Sequence, residues 1–172
     1  MSKNIKACLS HKTDDWKTPL KIYSSFMKKG FIDCFPYCST FDQMERQYTM
    51  KRLFINPPFS KLDKVVDWVV QQAKNHNEIV LLIPCRTDTQ YFKRLCSEIC
   101  WSIFFIEGRL HFNDSEFGAP FPCMFLHIDS RDLVCNIFAT YQCISVDRFL
   151  KRFKKESKDE YHFFTDFDTV YE

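Results

Sequence analysis

The chain has 172 residues, of which 45% are hydrophobic and 17% aromatic, and its formal net charge is +2. This length and composition predict a single domain over residues 1–172 with a sizeable core. The small net charge excludes a strong global field that would draw the protein to nucleic acid, so any such contact must come from local patches. No segment approaches the ~20 consecutive apolar residues of a membrane span, so no membrane contact is expected.

The nine cysteines are interpreted as reduced thiols of the core. Their number is odd and the first residues lack the apolar segment of a secretory signal, which argues against a disulfide framework. The closest pairs, Cys34/Cys38 and Cys96/Cys100, do not have zinc-ribbon spacing, and no metal is predicted, with an unrecognised metal site as the alternative. These features predict a reducing compartment, the cytoplasm or the nucleus.

The first predicted element is a helix over about 19–29. Residues 1–13 before it are polar, show little periodicity and are expected to form a loose arm. Thr18 is a good N-cap and Pro19 a good first helical residue. Apolar residues then recur at helical spacing until the chain reaches Gly30. A well-capped helix explains this pattern without any functional role.

A short apolar run, residues 31–35, predicts the first strand of a parallel sheet. Asp33 lies near the C-terminal end of this strand. It can either bind the amino group or hydroxyls of a small ligand, or begin an Asx turn before Pro36. Residues 36–52 are interpreted as a loop with at most one helical turn.

The stretch that follows, FINPPFS at 54–60, predicts a strand that stops at a rigid turn. Pro57 and Pro58 have no N–H to donate to a sheet, and a following proline pushes Asn56 toward an extended conformation. Ligands of open α/β sheets bind at the C-terminal ends of the strands. The turn is therefore either purely structural or part of a catalytic site.

A catalytic turn of this kind suits an exocyclic amine on a flat ring. The amine would donate to the Asn56 side-chain oxygen and the Pro57 carbonyl while Phe59 stacks on the ring. The nitrogen lone pair would then point toward an electrophile such as a sulfonium methyl group. In this respect NPPF resembles the (D/N/S)-P-P-(Y/F/W) signature of amino-group methyltransferases that use S-adenosylmethionine, and it is most similar to the N6-adenine branch.

The remaining elements alternate between helix and strand. Helices are predicted over 61–74 and about 90–100, and strands over 78–84, 101–106 and 123–128. The continuous apolar strand 78–84 is typical of a parallel sheet, and the alternation predicts a doubly wound α/β domain. Arg86 follows that strand at the sheet edge of Asn56. It either binds a phosphate or carboxylate or is an exposed arginine paired with Asp88.

The C-terminal part predicts a strand-like run over 133–145 and a helix over about 146–155. The helix carries a basic face, which is either solvated or in contact with a nucleic-acid backbone: Arg148, Lys151, Arg152, Lys154 and Lys155. Residues 157–172 form an acidic, aromatic tail.

Four stretches extend the resemblance: DDWKTP (14–19), NPPF (56–59), IPCRTDTQYF (83–92) and IEGRLHF (106–112), the last followed by APFP (119–122). In this order they resemble the phage-type DNA N-6-adenine methyltransferases over roughly 14–128. The resemblance implies a compact Rossmann-like α/β fold, with a mostly parallel sheet and helices on both faces. It also implies S-adenosyl-L-methionine as cofactor and methylation of the N6 amine of adenine in DNA, with the target base flipped out of a duplex.

The resemblance implies roles for individual residues. The catalytic positions are Asn56, Pro57, Pro58 and Phe59. The positions that contact the cofactor are Trp16, Thr18, Pro19, Asp33 and Asn56. The positions that contact the substrate are Phe59, Lys61, Arg86, Thr87 and Arg109. The role of the G-R-L-x-F segment, 108–112, is left open.

The chain also departs from larger methyltransferases. The Gly-rich loop F-x-G-x-G is missing after Ile32, and the strands between Asp33 and Asn56 are missing or compressed. The residues that hold the adenosine part of the cofactor are therefore open. Little room remains for target recognition, which favours weak sequence specificity, a homodimer or a partner subunit. The alternatives are methylation of cytosine N4, RNA adenine or protein glutamine, or a non-catalytic nucleic-acid-binding subunit with the same fold.

Overall fold

The structure is a computed structural model that describes residues 14, 16–37, 42–48, 51–75, 78–98, 102–129 and 140–153. Its strands are β1 (Ile32–Asp33), β2 (Arg52–Ile55), β3 (Glu78–Pro84), β4 (Ser102–Ile106), β5 (Cys123–Asp129) and β6 (Thr140–Ile144). Its α-helices are α1 (Leu20–Met27), α2 (Leu62–Lys74), α3 (Gln90–Glu98) and α4 (Val146–Leu150). Two single 3₁₀ turns lie at Phe59–Lys61 and Phe112–Asp114.

The six strands form one sheet in the order β1-β2-β3-β5-β4-β6. The pairs β1–β2, β2–β3 and β4–β6 are parallel, whereas β5 runs antiparallel to both β3 and β4. The predicted α/β fold with a mostly parallel sheet is confirmed. The antiparallel direction of β5 was not predicted. The connection from β4 to β5 holds a 3₁₀ turn rather than a crossover helix, and an antiparallel pair does not need a crossover.

The first two strands are direct neighbours. Ile32 pairs with Leu53 and Asp33 with Phe54, and the described residues between these strands contain no further strand. The compression predicted between Asp33 and Asn56 is therefore present. Because both strands end at the same sheet edge, the compression brings these two side chains to adjacent strand ends.

Both faces of the sheet are covered, since every residue of β3 is buried. On one face, Phe26 of α1 stacks on Phe54 with ring centroids 4.7 Å apart, and Phe149 of α4 stacks on Phe125 at 4.2 Å. On the other face, α2 and α3 pack against each other. The prediction of helices on both faces is confirmed, and the many phenylalanines form much of the layer beneath α1 and α4.

A buried ionic network lies at the N-terminal ends of β2 and β3, away from the edge where Asn56 lies. The Glu78 carboxylate accepts from Arg52 Nε at 2.6 Å and contacts His127 Nε2 at 3.1 Å. Burial alone would raise the pKa of Glu78, but the hydrogen bonds from His127 and Arg52 hold it below its usual range. Arg52 also donates to the Lys29 carbonyl at 2.7 Å, so this network ties the beginning of the sheet together.

Some predicted bounds differ from the observed ones. Strand β1 has two residues rather than five, and α4 ends at Leu150 rather than near 155. The predicted arm 1–13 and the segment 154–172, with its acidic tail, lie outside the described residues. So does the first part of the predicted strand-like run 133–145, up to residue 139, whereas its second part contains β6. Within the described part, five cysteines are free thiols: Cys34, Cys85, Cys96, Cys123 and Cys143.

Among the helices that the structure describes, none combines the length and the apolar character needed to cross a bilayer.

Candidate active site

A cleft of about 500 Å³ opens beside the C-terminal ends of β1 and β2. Its volume lies within the range of small-molecule sites. The predicted site residues that line it are Trp16, Thr18, Asp33, Asn56, Pro57, Pro58 and Lys61. Residues without a predicted role also line it, among them Asp14, Lys17, Tyr23, Phe35, Tyr37, Asp42, Gln43 and Met44.

The Asn56 amide is held in one orientation. Its nitrogen donates to the Trp16 carbonyl at 2.8 Å and to Thr18 Oγ1 at 2.9 Å. A carbonyl can only accept, so the NH₂ group and not the oxygen must face Trp16. The other amide atom, Oδ1, is buried and has no hydrogen-bond partner among the described residues. A buried acceptor without a partner costs about 1–3 kcal/mol, which makes this atom a candidate ligand contact.

Thr18 differs from its prediction as a helix N-cap. Pro19 occupies that position and provides no side-chain hydrogen bond, and α1 begins at Leu20. The Leu20 N–H instead donates to the Asp114 carboxylate at 3.2 Å. The Thr18 hydroxyl is thereby available to Asn56. Asp114 is distant in the sequence, so no local pattern identified it.

Residues 14 and 16–18, here called the strap, cross the NPPF turn and are attached on both sides. On one side, the Asp14 carboxylate accepts from the Ser60 N–H at 3.0 Å and from the Ser60 hydroxyl. On the other side, the Lys17 N–H donates to Asn113 Oδ1 at 2.8 Å, and the Asn113 N–H donates to the Lys17 carbonyl at 3.0 Å. The strap therefore joins the NPPF turn to the 3₁₀ turn at Phe112–Asp114.

Phe59 does not present an open ring face in this structure. It is 4% exposed and does not line the cleft. Its ring lies near those of Trp16, Phe112 and Phe121, at centroid distances of 6.2, 6.0 and 5.6 Å. Burial of large aromatic rings against one another is strongly favourable. The sequence contained each ring but not their convergence, so the expectation that Phe59 is free to stack on a base is not met in this conformation.

The Asx turn that was one alternative for Asp33 is present, and ligand binding, the other alternative, stays a prediction. The Asp33 carboxylate accepts the Phe35 N–H at 3.0 Å, which is an Asx turn, and it also lines the cleft. Burial raises its pKa to about 6, against the opposing effect of the Phe35 hydrogen bond. The wall of the cleft thus holds an acid whose charge lacks full compensation, which is a suitable partner for a cationic or hydroxyl-bearing ligand.

Segments 35–37 and 42–44 supply cleft residues for which no role was predicted. Phe35 was expected at the end of the first strand, and 36–52 as a loop with at most one helical turn. Tyr48 attaches the second segment to the end of β1, because its hydroxyl donates to the Cys34 carbonyl at 3.1 Å and lies 3.2 Å from Gln43 Oε1. These segments line the cleft beside the end of β1. The only sequence feature that could have indicated these cleft residues is the group of polar and aromatic residues that follows β1.

Five predicted site residues do not line the cleft: Pro19, Phe59, Arg86, Thr87 and Arg109. Arg86 and Thr87 follow β3 at the same sheet edge, and the neighbouring Cys85 N–H donates to the Pro122 carbonyl at 2.8 Å. Arg109 is exposed on the β4–β5 connection and packs closely on Gly118. Arg86, Thr87 and Arg109 therefore follow strands that end at the sheet edge of the cleft, but they do not line it.

Comparison with known proteins identifies the family. No curated protein and no solved structure matches the chain. The sequence model of one family, described as DNA N-6-adenine-methyltransferase (Dam), matches residues 6–123. This range is more than half of the chain and includes the strap, Asn56 and most of the sheet. Methyltransferases of this kind generally take their methyl group from S-adenosylmethionine. The chain therefore belongs to the DNA N-6-adenine-methyltransferase (Dam) family, enzymes that methylate the N6 amine of adenine in DNA.

Proposed function

We propose that the cleft binds S-adenosyl-L-methionine and that Asn56 presents the N6 amine of a DNA adenine for methylation. The observation that carries this proposal is the buried Asn56 Oδ1, which has no hydrogen-bond partner among the described residues. Because both hydrogens of the amide are already used, the remaining atom can only accept. An exocyclic amine supplies the donor that this atom lacks.

The chemical role of the NPPF turn is orientation and charge stabilisation. The adenine amine is a poor nucleophile because its lone pair is delocalised into the ring. When Asn56 Oδ1 and the Pro57 carbonyl accept its two N–H groups, the lone pair is directed out of the ring plane, and positive charge that develops on nitrogen is stabilised. The bound cofactor supplies the electrophilic methyl group. Since Oδ1 is buried, the amine reaches it only after neighbouring side chains move apart.

The cofactor-binding residues are proposed from the cleft lining. Asp33 is a partly buried acid with a raised pKa, which a cationic amino group would compensate. Trp16 and Pro58 supply apolar surface at the same cleft. Asp42 and Gln43 are polar residues of the cleft lining, and they would contact the rest of the ligand.

The proposed DNA contacts lie around the mouth of the cleft. Lys61 lines it, while Arg86, Thr87 and Arg109 lie on the same sheet edge. Cationic side chains there would bind backbone phosphates, and an adenine in a duplex would have to be flipped to reach Asn56. We assign Phe59 the supporting role of packing against Trp16. Since the chain is compact, we propose that target selection relies on a second copy or a partner subunit, which the mass of the DNA complex would test.

The direct experiment is transfer of an isotopically labelled methyl group from S-adenosylmethionine to single-stranded DNA, duplex DNA, RNA and protein, followed by mass spectrometry of the nucleosides. We expect label in N6-methyladenine from DNA. Label in N4-methylcytosine, RNA or protein glutamine would reassign the acceptor. Absence of both transfer and calorimetric binding at millimolar cofactor would instead support a non-catalytic subunit.

The matched variant is Asn56→Ala. We expect it to lose about 100- to 1,000-fold in turnover, as when one transition-state hydrogen-bond partner is removed, while its affinity for the cofactor stays within a few-fold. Turnover close to that of the wild type would refute the role given to Asn56.

A further inference from the structure

We infer that Thr18 is a positioning residue that, together with the Trp16 carbonyl, holds the Asn56 amide in place, and that the Asn113–Asp114 turn holds the strap on which Thr18 lies. This inference rests on the proposed function of Asn56 and assigns Thr18 a task other than contact with the cofactor. It also gives a role to the turn that directly follows the segment 108–112.

A primary amide is nearly symmetric in shape. The oxygen and the NH₂ group have nearly the same size, so packing alone distinguishes the two orientations of Asn56 poorly. In the observed orientation the two amide hydrogens reach the Trp16 carbonyl at 2.8 Å and the Thr18 hydroxyl oxygen at 2.9 Å. In the reversed orientation two carbonyl oxygens would face each other, whereas the Thr18 hydroxyl could turn and donate to the amide oxygen. The Trp16 carbonyl therefore sets the direction of the amide, and Thr18 supplies the second bond that holds it in place.

The observed orientation has a chemical consequence. Only an acceptor remains for a ligand at Asn56, so the site favours a base that carries an amino group over one that carries a carbonyl at the same position. Without the Thr18 hydroxyl, one amide hydrogen would have no partner, and a single bond to the Trp16 carbonyl would hold the amide less precisely. Thr18 therefore acts on the substrate through Asn56.

The position of Thr18 depends on the 3₁₀ turn at Phe112–Asp114. Asn113 and Asp114 have φ angles of 58° and 51°, a left-handed conformation that residues other than glycine adopt rarely and that Asn and Asp tolerate best. Asn113 accepts from the Lys17 N–H and Asp114 from the Leu20 N–H. The two side chains thus bind the backbone on either side of Thr18, and the hydrogen bonds compensate the strain of the turn.

The first test compares Thr18→Val, which keeps the shape without the hydroxyl, with Thr18→Ser, which keeps the hydroxyl. Ser97→Ala is the control, since its hydroxyl bonds only within α3. We expect Thr18→Val to lower kcat by about 10- to 100-fold, as misplacement of a reacting group does, with the calorimetric Kd for S-adenosylmethionine within about twofold of wild type. Thr18→Ser should restore kcat to within a few-fold.

A second readout does not require activity. The side-chain NH₂ of Asn56 should give two NMR signals that exchange slowly with water, and Thr18→Val should speed up their exchange while Ser97→Ala does not. If wild-type protein methylates nothing, the proposed function fails, but this measurement still tests the contact. A loss of cofactor affinity equal to the loss of kcat would make Thr18 a cofactor ligand, and unchanged kcat and exchange would overturn the inference.

The role of the turn is tested with Asn113→Gly, because glycine accepts the left-handed backbone without strain while the side-chain bond to Lys17 is lost. We expect a fall in kcat in the direction of Thr18→Val, with faster exchange of the Asn56 NH₂ signals. If the folded variant keeps wild-type kcat and exchange, the turn does not position the strap.

Discussion

The carboxylate of Asp14 accepts hydrogen bonds from both the backbone N–H and the hydroxyl of Ser60, the residue that follows the NPPF turn. The 3₁₀ turn that begins at Phe59 has no side-chain cap of its own at Pro58. Asp14 therefore acts as its cap from a distant part of the chain, and places a negative charge near the N-terminal end of α2, where the helix dipole favours it. The NPPF turn is thus held from outside as well as by its prolines.

The first prediction concerns this contact. Asp14→Ala should lower the free energy of unfolding by about 0.5–1.5 kcal/mol, the usual net value of a hydrogen bond that remains partly solvated. In a double-mutant cycle with Ser60→Ala, measured by urea denaturation, the two losses should add only in part. Both variants remove the bond from the Ser60 hydroxyl, whereas only Asp14→Ala also removes the bond from the Ser60 N–H. Additive losses would mean that the hydroxyl bond contributes nothing to stability.

The second prediction distinguishes packing from stacking at Phe59. Its ring is 4% exposed among three other aromatic rings, so Phe59→Ala should lower the free energy of unfolding by about 3–5 kcal/mol. Phe117 is 81% exposed, and Phe117→Ala should change it by less than about 0.5 kcal/mol. Equal small effects in denaturant titrations of the two variants would show that the Phe59 ring is not part of the core in solution.

The third prediction is a pH dependence at Asp33. Burial raises the pKa of this carboxyl from 3.8 to about 6, so the folded state binds its proton more tightly than the unfolded chain does. The contribution of the neutral carboxyl to the free energy of unfolding is fully present below pH 3.8, and it is lost as the pH rises through about 6. Asp33→Asn should therefore be more stable than wild type above pH 6, by up to about 3 kcal/mol.

Thermal unfolding of both proteins between pH 4 and pH 8 checks this prediction, and a stability difference that does not grow with pH would contradict it. Under the proposed function, the same variant should bind S-adenosylmethionine more weakly. The affinity of the wild type should also fall as Asp33 is protonated below pH 6, which calorimetry at two pH values measures.

The fourth prediction concerns the buried network around Glu78. Glu78→Gln leaves the largely buried Arg52 without its counter-charge, and should lower the free energy of unfolding at pH 7 by about 3–5 kcal/mol. Because the folded-state pKa of Glu78 is lowered, its contribution is present above the unfolded value of 4.5 and is lost as the pH falls below it.

Denaturant titrations at pH 7 and at pH 4 and below test this prediction. The difference in the free energy of unfolding between Glu78→Gln and wild type should become smaller in acid. The network lies at the opposite end of the sheet from Asn56. Methyl transfer per folded molecule should therefore stay within about twofold of wild type, and a selective loss of turnover would show coupling to the site.

Individual elements show which features local sequence patterns can predict. The strand Glu78–Pro84 matches its prediction at both ends, and Leu62–Lys74 differs by one residue at its start. In both cases the prediction rests on an apolar pattern and on the residues that interrupt it, all within a short stretch of sequence. The direction of β5 could not be predicted, because a continuous apolar run is the same in either direction and only the partner strands decide. Thr18 was misassigned because a local cap pattern competed with a contact to a distant residue.

The sequence by itself determined the α/β class, the rigid turn at Asn56, the compression between Asp33 and that turn, and the family resemblance, because each depends on residue type and spacing within a short stretch. Only the tertiary structure decided which way the Asn56 amide faces, that Phe59 is buried, and that residues 112–114 hold the strap. These features arise from hydrogen bonds and ring contacts between segments far apart in the chain, whose geometry is fixed only when the sheet and its connections pack together.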